Sequence, residues 1–590
     1  MTQQHDDGDK SLTARAVGAV APHLLFAFLT FLLGASLIRF PHGSPVCQPT
    51  GDLGVAQWDF WWADQVIRGL APAGDGFFRS SLIFHPLGAD LTYQTFEFTY
   101  VILLWPLRAI GGGFLQHNVA LLIATYLMAW FSWLAARSFG AGRMAAVLCA
   151  TVLTLHGYRL AEAIHLNIFS TWIFPLVVCA LQRIRVNPER WRNGGLLGVA
   201  ANLAIFTSIF HTLAAALFAF AFIAVFYFRD DMATRRRRFM NVALAVALVA
   251  PGAMLIGWHI AHAPKPPAFG DGAQSAHAAD VWQFLIHPRI RMALLGIAND
   301  SLIIPMDMQQ RVWIWYLPGY LCVIGAMIAR RRAAGDSALK FLVYAGFGFW
   351  ILALGPWLKI GSPLQLDAVA GSIPLPGKLL RMVPLLGSMR SVWHFGFIGT
   401  ICMTIYASIV IMRALGEIRE PSRRVVYQGL FIAAAACESF IGSIATFTLP
   451  MDGAANYIAA YGRPGDSVAV FPQYLYVARG HFMYHQTVHG LPMLGGYLAR
   501  DPIAFDDWKT ERRWPIELEE ASYGRINAMS PEAVANFHAD VEGLHIRYIE
   551  ILDDTNGRRF AARMHDQLEK IGPWKVGYTD QWTVVIEKQE

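Results

Sequence analysis

The chain has 590 residues, 55% of them hydrophobic and only 15% charged, with a formal net charge of +6 and a mean hydropathy of +0.38. A soluble globular chain carries about 25% charged residues, spread along its solvent-facing stripes. Here the charge falls in short bursts between long apolar runs. That excludes a soluble enzyme, a nucleic-acid binder and a disordered scaffold, and leaves a polytopic membrane protein.

In chain order, a polar tail (1–16) with Lys10 and Arg15 leads into a first apolar run at 17–38. This run lacks a small-x-small cleavage site and reads as an uncleaved first helix. Further runs near the spanning length of about 17 to 25 residues fall at 118–136, 144–157, 166–181, 195–210, 212–228, 240–261, 312–329, 341–357, 393–413 and 425–444. A twelfth candidate, 98–114, carries Pro106, Arg108 and Gly111 to Gly113. If it does not span, one side of the membrane collects the N-terminal cations and all the later basic loops. These are Arg137 and Arg143; Arg183 to Arg192; Arg229 and Arg235 to Arg238; Arg330 to Arg332 with Lys340; and Arg413 to Arg424. The positive-inside rule therefore favours an interfacial or re-entrant helix at 98–114, about eleven spanning helices, a cytoplasmic N-terminus and an extracytoplasmic C-terminus.

The basic clusters are thus topological punctuation and not a nucleic-acid signal. Of the six cysteines, Cys149, Cys179, Cys322, Cys402 and Cys437 lie in apolar segments; with Cys47 they form no CxxC pair, so neither a metal cluster nor a disulfide framework is indicated. The outer face receives a long first loop (39–117), the Tyr158–Leu166 turn, the loops 262–311 and 358–392, and a tail from 447 to 590. The tail alternates β-rich runs (Ser467–Phe471, Leu544–Leu552, Trp582–Glu587) with helical ones (Pro531–Glu542, Asn556–Ile571). It reads as a small extracytoplasmic α/β domain after a membrane domain over 17–446.

Candidate chemistry gathers on that outer face. The first loop holds Asp52, Asp59, Asp64, Asp90 and Glu97 among large aromatics, with Trp58, Trp61 and Trp62 suited to an interfacial helix whose rings rest at the headgroups. Asp52, just after a glycine and near the end of the first helix, is placed to accept a proton from an incoming hydroxyl. The turn brings Arg159, Glu162, His165 and Asn167 within ten residues; Arg159 can fork onto a phosphate or simply snorkel beside Glu162. His211, at a junction of two apolar runs, suits a packed structural role. Around 355–390, Lys359, Lys378, Arg381 and Arg390 attract anionic headgroups, or equally a lipid phosphate. In the tail, His485 and His489 have the spacing of a helical metal pair, but Gly490 and Pro492 argue against a long helix there, and no HExxH is present.

The pattern resembles the GT-C superfamily of integral-membrane glycosyltransferases, and within it YfhO-like and related uncharacterised bacterial members. Carrying the resemblance are Gly51-Asp52, His85-Pro86-Leu87-Gly88, His165-Leu166-Asn167, Leu354-Gly355-Pro356 and Pro384 through Met389-Arg390. It implies a GT-C-like helical bundle with interfacial helices in the first outer loop, a polyprenyl-phosphate sugar donor, and transfer to an envelope glycan, lipid or protein at the periplasmic face of a bacterial inner membrane. Inversion at the anomeric carbon is the expected outcome. Asp52 would be the base and Asp59 or Glu97 a second acid. Arg159, His165, Lys378, Arg381 and Arg390 would bind donor phosphate. Trp61, Trp62, His85, Asp90, Glu162 and His211 would meet sugar or acceptor. No residue is assigned to a metal, though a divalent cation (Mg or Mn) stays open. A transporter or flippase of a lipid-linked glycan would instead show mid-helix charges and matching halves; a non-catalytic envelope assembly protein would tolerate loss of Asp52.

Overall fold

The computed structural model describes residues 4–45, 51–94, 96–264, 277–294, 315–333, 335–360, 369–380, 389, 391–447, 452–498, 500–552 and 559–589. Seven described helices are long and apolar enough to cross a membrane: Val20–Arg39, Trp105–Ser138, Arg143–Ala161, Leu166–Val186, Ile209–Phe226, Met232–His262 and Val392–Leu415. Arg192–Thr207, Tyr320–Ala329, Ser337–Ala353 and Pro421–Ser439 fall in the other expected windows but are shorter or carry more charge. The helix Met232–His262 exposes Met240, Val246, Leu248, Met254, Leu255 and Trp258, an apolar face suited to lipid.

The stretch 98–114 makes no separate spanning helix. It consists of the helix Phe98–Leu103 and the first turns of Trp105–Ser138, which breaks at Gly111 and Gly112. Gly112 has φ 75° and ψ −173°, a backbone state essentially reserved for glycine, so the three-glycine run is where the chain turns from the loop into the bundle.

The spanning helices have opposite chemistry at their two ends. Leu166–Val186 follows His165 and ends on Arg183 and Arg185; the helix Phe395–Leu415 follows His394 and carries Arg413 in its last turn. At the arginine end, Arg238 donates to the backbone oxygens of Arg185 (2.9 Å) and Phe226 (3.1 Å), and Arg413 lies 3.9 Å from Asp336. The basic loops therefore converge on one end of the bundle, and the polar outer-loop residues on the other.

At that second end the first loop and the tail share one core. The loop helix Gly51–Ile67 puts Trp58, Trp61 and Trp62 on one face, at the i, i+3, i+4 spacing of a helical stripe. The rings of Trp58 and Trp62 stack at 5.6 Å and 5°. These rings pack with Phe471, Phe482, Met483, Met493 and Leu494 of the tail and are buried, so the expected resting place at the headgroups does not hold. The reason is that a large apolar partner surface, the tail, is available to cover them.

The tail carries a five-stranded sheet in the order Trp574–Thr579, Thr583–Lys588, Ile546–Leu552, Ser467–Phe471, Met493–Leu494; the last three strands are mutually parallel and the first two antiparallel. Loop residues 82–85 line up on its edge, with Phe84 N donating to Gly495 O (2.8 Å), His85 N to Met493 O (3.0 Å) and Met493 N to Leu82 O (2.8 Å). The exposed edge of the sheet is thereby covered by the first loop. A short ladder, Ser44–Pro45 on Thr446–Phe447, ties the start of the loop to the start of the tail.

Truncating Trp58 removes a fully buried ring and leaves Gln486, whose Oε1 accepts from its Nε1 at 2.7 Å, without that donor. Trp58→Ala should cost about 3–5 kcal/mol, read as a lowered midpoint of thermal unfolding in detergent. It should also bring earlier proteolytic release of the tail.

Candidate active site

The loop helix begins at Gly51, with Asp52 in its first turn, where a carboxylate is favoured by the helix dipole. The tail helix Tyr476–His489 crosses it at Gly480, where a Cβ would collide with backbone atoms of Gly51. Only glycine permits so close an approach. The expectation that Gly490 and Pro492 prevent a long helix here is corrected. Gly490, at φ 68°, adopts the left-handed C-terminal cap and ends the helix after fourteen residues.

Asp52 is held from both sides. Its Oδ1 accepts from Tyr497 Oη of the tail (3.0 Å), and its Oδ2 lies 3.0 Å from His165 Nε2. The other ring nitrogen of His165, Nδ1, lies 2.8 Å from Glu162 Oε2. Glu162 Oε1 is 3.8 Å from His394 Nδ1, which is 2.8 Å from Tyr158 Oη. Tyr158 in turn stacks on Phe397 at 4.4 Å. The result is a chain running from Asp52, 38% exposed at its side chain, through His165 (21%) to Glu162 (0%). Exposure is greatest at the Asp52 end.

Burial works against a charge on His165, but hydrogen bonds to Asp52 and Glu162, and the charges of both, outweigh it and push the pKa up to about 10. The imidazole is therefore a cation at neutral pH, shared by two carboxylates. Nearby, Glu97 accepts from Asn167 N (3.3 Å), and Gln94 Nε2 donates to both oxygens of Asp59 (3.1 and 3.0 Å). Burial raises Glu97 to about 7, against the pull of backbone N–H groups of Glu97 and Asn167 and the charge of His165. Burial and then the charge of Glu97 raise Asp59 well above the carboxylate range.

Among the described residues, the His, Cys, Asp and Glu groups spaced to hold a metal ion do not include Asp52, whose oxygens meet Tyr497 and His165.

Among solved structures, the chain is similar to the arabinofuranosyltransferase AftD from Mycobacteria, at 14% identity and a TM-score of 0.54 over 97% of this chain. A mutant of the same enzyme gives a TM-score of 0.52. The chain spans about 40% of the length of AftD. The oligosaccharyltransferase AglB from Archaeoglobus fulgidus aligns at 11% identity and a TM-score of 0.45 over 98% of this chain and 75% of its own. ArnT from Cupriavidus metallidurans, bound to undecaprenyl phosphate, aligns at 12% and 0.42 over 97% and 98%. No protein-family model matches the sequence, and no curated protein matches it. The chain shares its fold with the arabinofuranosyltransferase AftD.

Three sequence candidates, Asp52, Glu162 and His165, form one hydrogen-bonded unit, with His165 gripping the carboxylates rather than standing free for a phosphate. Asp59 and Glu97 are buried beside it. Arg159 lies fully buried in the bundle: its guanidinium donates to Phe169 O, Thr171 Oγ1 and Thr125 Oγ1 (each 3.2 Å) and sits 4.0 Å over the Phe169 ring. His211 is buried, its Nε2 3.2 Å from Ile168 O. Trp61 and Trp62 belong to the loop–tail core, His85 lies at the sheet edge, and Asp90 is exposed and accepts from Thr92 N (2.8 Å). Lys378 is exposed, its Nζ 4.4 Å from the Trp357 ring centroid. Arg381 and Arg390 lie outside the described residues.

Two partners are not picked out by the sequence patterns above. His394 stands at the outer end of an apolar run, the same signal that singles out His165. Tyr497 lies in a stretch, Gly495 to Arg500, that is rich in polar and aromatic groups, but nothing local ties it to Asp52, 445 positions away.

Since native His165 keeps its proton to about pH 10 and an unfolded imidazole loses it near 6.5, the native state binds the extra proton between those values. The stabilisation is complete below about pH 6.5 and is lost as pH rises toward 10. Thermal melts of the wild type across this window should fall more steeply than those of His165→Gln. Gly480→Ala should overpack the helix crossing and cost about 1–3 kcal/mol, measured by the same melts.

Proposed function

We propose that the chain is a membrane glycosyltransferase that moves a sugar from a polyprenyl-phosphate donor to an extracytoplasmic acceptor, an envelope glycan, lipid or protein, with Asp52 as general base. The observation that carries this reading is the partly exposed Asp52 carboxylate at the exposed end of a chain through half-buried His165 to buried Glu162, in a fold shared with an arabinofuranosyltransferase. The separation of the arginine loops from this site supports a cytoplasmic N-terminus and a site and tail on the periplasmic side of a bacterial inner membrane.

In the proposed step, the acceptor hydroxyl hydrogen-bonds to Asp52. As its oxygen attacks the anomeric carbon, the proton passes to the Asp52 carboxylate. The bond from that carbon to the phosphate oxygen breaks, polyprenyl phosphate leaves with the bonding pair, and the single displacement inverts the centre. Cationic His165 fixes the orientation of Asp52, while Glu162 compensates the charge of His165 and Tyr497 steers the second carboxylate oxygen. Lys378, with Arg381 and Arg390 on the same stretch of sequence, would neutralise the departing phosphate. A lipid-linked donor presents that phosphate at headgroup depth, where such cations reach it without entering hydrocarbon.

The test is transfer of labelled sugar from polyprenyl-phosphate donors by the purified protein. Asp52→Asn keeps the shape and removes the base, so turnover should fall by about 10²–10⁴-fold. Equal transfer by wild type and Asp52→Asn would overturn the assignment.

A further inference from the structure

A second cluster of ionisable side chains lies away from Asp52, between the tail helix and the sheet. His481 and His485 are four residues apart, and so share one face of the helix. Glu550 comes from Ile546–Leu552, the central strand of the five. All three side chains are completely buried, and their ligand atoms lie within 4.8 Å of one another. The two imidazole rings approach to 3.9 Å between centroids, and His485 Nδ1 contacts Glu550 Oε1 directly.

The remaining polar atoms are arranged as ligands. His481 Nε2 lies 3.5 Å from Thr583 Oγ1 on the neighbouring strand, while His481 Nδ1 and Glu550 Oε2 have no hydrogen-bond partner among the described residues. Buried polar atoms are rarely left so. An imidazole with one nitrogen on a hydroxyl and the other unpaired is the arrangement found where the second nitrogen holds a metal.

We infer that His481, His485 and Glu550 bind one divalent transition-metal ion of the zinc class, which clamps the tail helix to the central strand of the sheet. Two imidazoles and one carboxylate are a borderline-soft set that suits zinc and disfavours magnesium or calcium. Thr583 Oγ1, at the other ring nitrogen of His481, would orient that imidazole toward the ion. Because the same helix presents Gly480 to Gly51, the clamp would hold the surface against which Asp52 is positioned. With the site fully buried, the ion must enter during folding. Metal binding at this cluster does not depend on sugar transfer at Asp52.

The experiment is metal analysis of the full-length protein, expressed in zinc-supplemented defined medium and dialysed against chelator. About one zinc per chain is expected for the wild type and equally for Asp52→Asn, and at least about tenfold less for His481→Gln and Glu550→Gln. Protein expressed with cobalt in place of zinc should show the visible bands of a four-coordinate ion, a readout that needs no variant to fold. Wild-type protein without stoichiometric zinc, cobalt protein without those bands, or variants that retain zinc at the wild-type level would each overturn the inference.

Discussion

The contact between Gly51 and Gly480 is the constraint on which the half of the molecule opposite the arginine ends depends. Two helices from opposite ends of the chain approach there so closely that a Cβ on Gly480 would strike the Gly51 backbone. Asp52 is the next residue after Gly51, so the proposed base inherits its position from this crossing. From the same crossing follow the burial of the tryptophan stripe, the Trp58–Gln486 hydrogen bond and the pairing of residues 82–85 with the edge of the tail sheet. The tail is therefore one wall of the site as well as a separate run of secondary structure, and Tyr497 reaches Asp52 from it.

Electrostatics complete what packing begins. Glu162 is taken fully out of water and Asp52 only partly, and His165 bridges them with a charge that both stabilise. A carboxylate pair without that imidazolium would repel and reorient. With it, the site keeps a fixed direction, its polar end toward solvent and its buried end toward His394 and Tyr158.

Much of this arrangement is legible in the amino-acid sequence. The tail strands announce themselves by β-branched runs: Ser467–Phe471 matches the expected range, and Ile546–Leu552 and Thr583–Lys588 fall close to theirs. Asp52, Glu162 and His165 stand out as polar groups at the outer ends of apolar segments. Where expectation and structure part, the causes are physical. Gly490 has the composition signal of a helix breaker, yet a glycine with positive φ ends a helix without preventing the turns before it. Trp61 and Trp62 have the signal of interfacial anchors because a ring suited to headgroups is equally suited to a protein core, and local sequence does not say which apolar surface arrives first.

By itself the sequence determined that the chain lives in a membrane and that its scarce charge is divided between two faces. Both follow from one cost, the placing of a charge in hydrocarbon, which is large and depends only on local composition. Tertiary structure alone decided which of the outer polar groups touch. Arg159, close in sequence to Glu162, is drawn into the bundle by Phe169, Thr171 and Thr125, while Tyr497, 445 positions away, meets Asp52. Such pairings depend on how closely two backbones approach, and that is settled by residues, here two glycines, whose importance lies in what they lack.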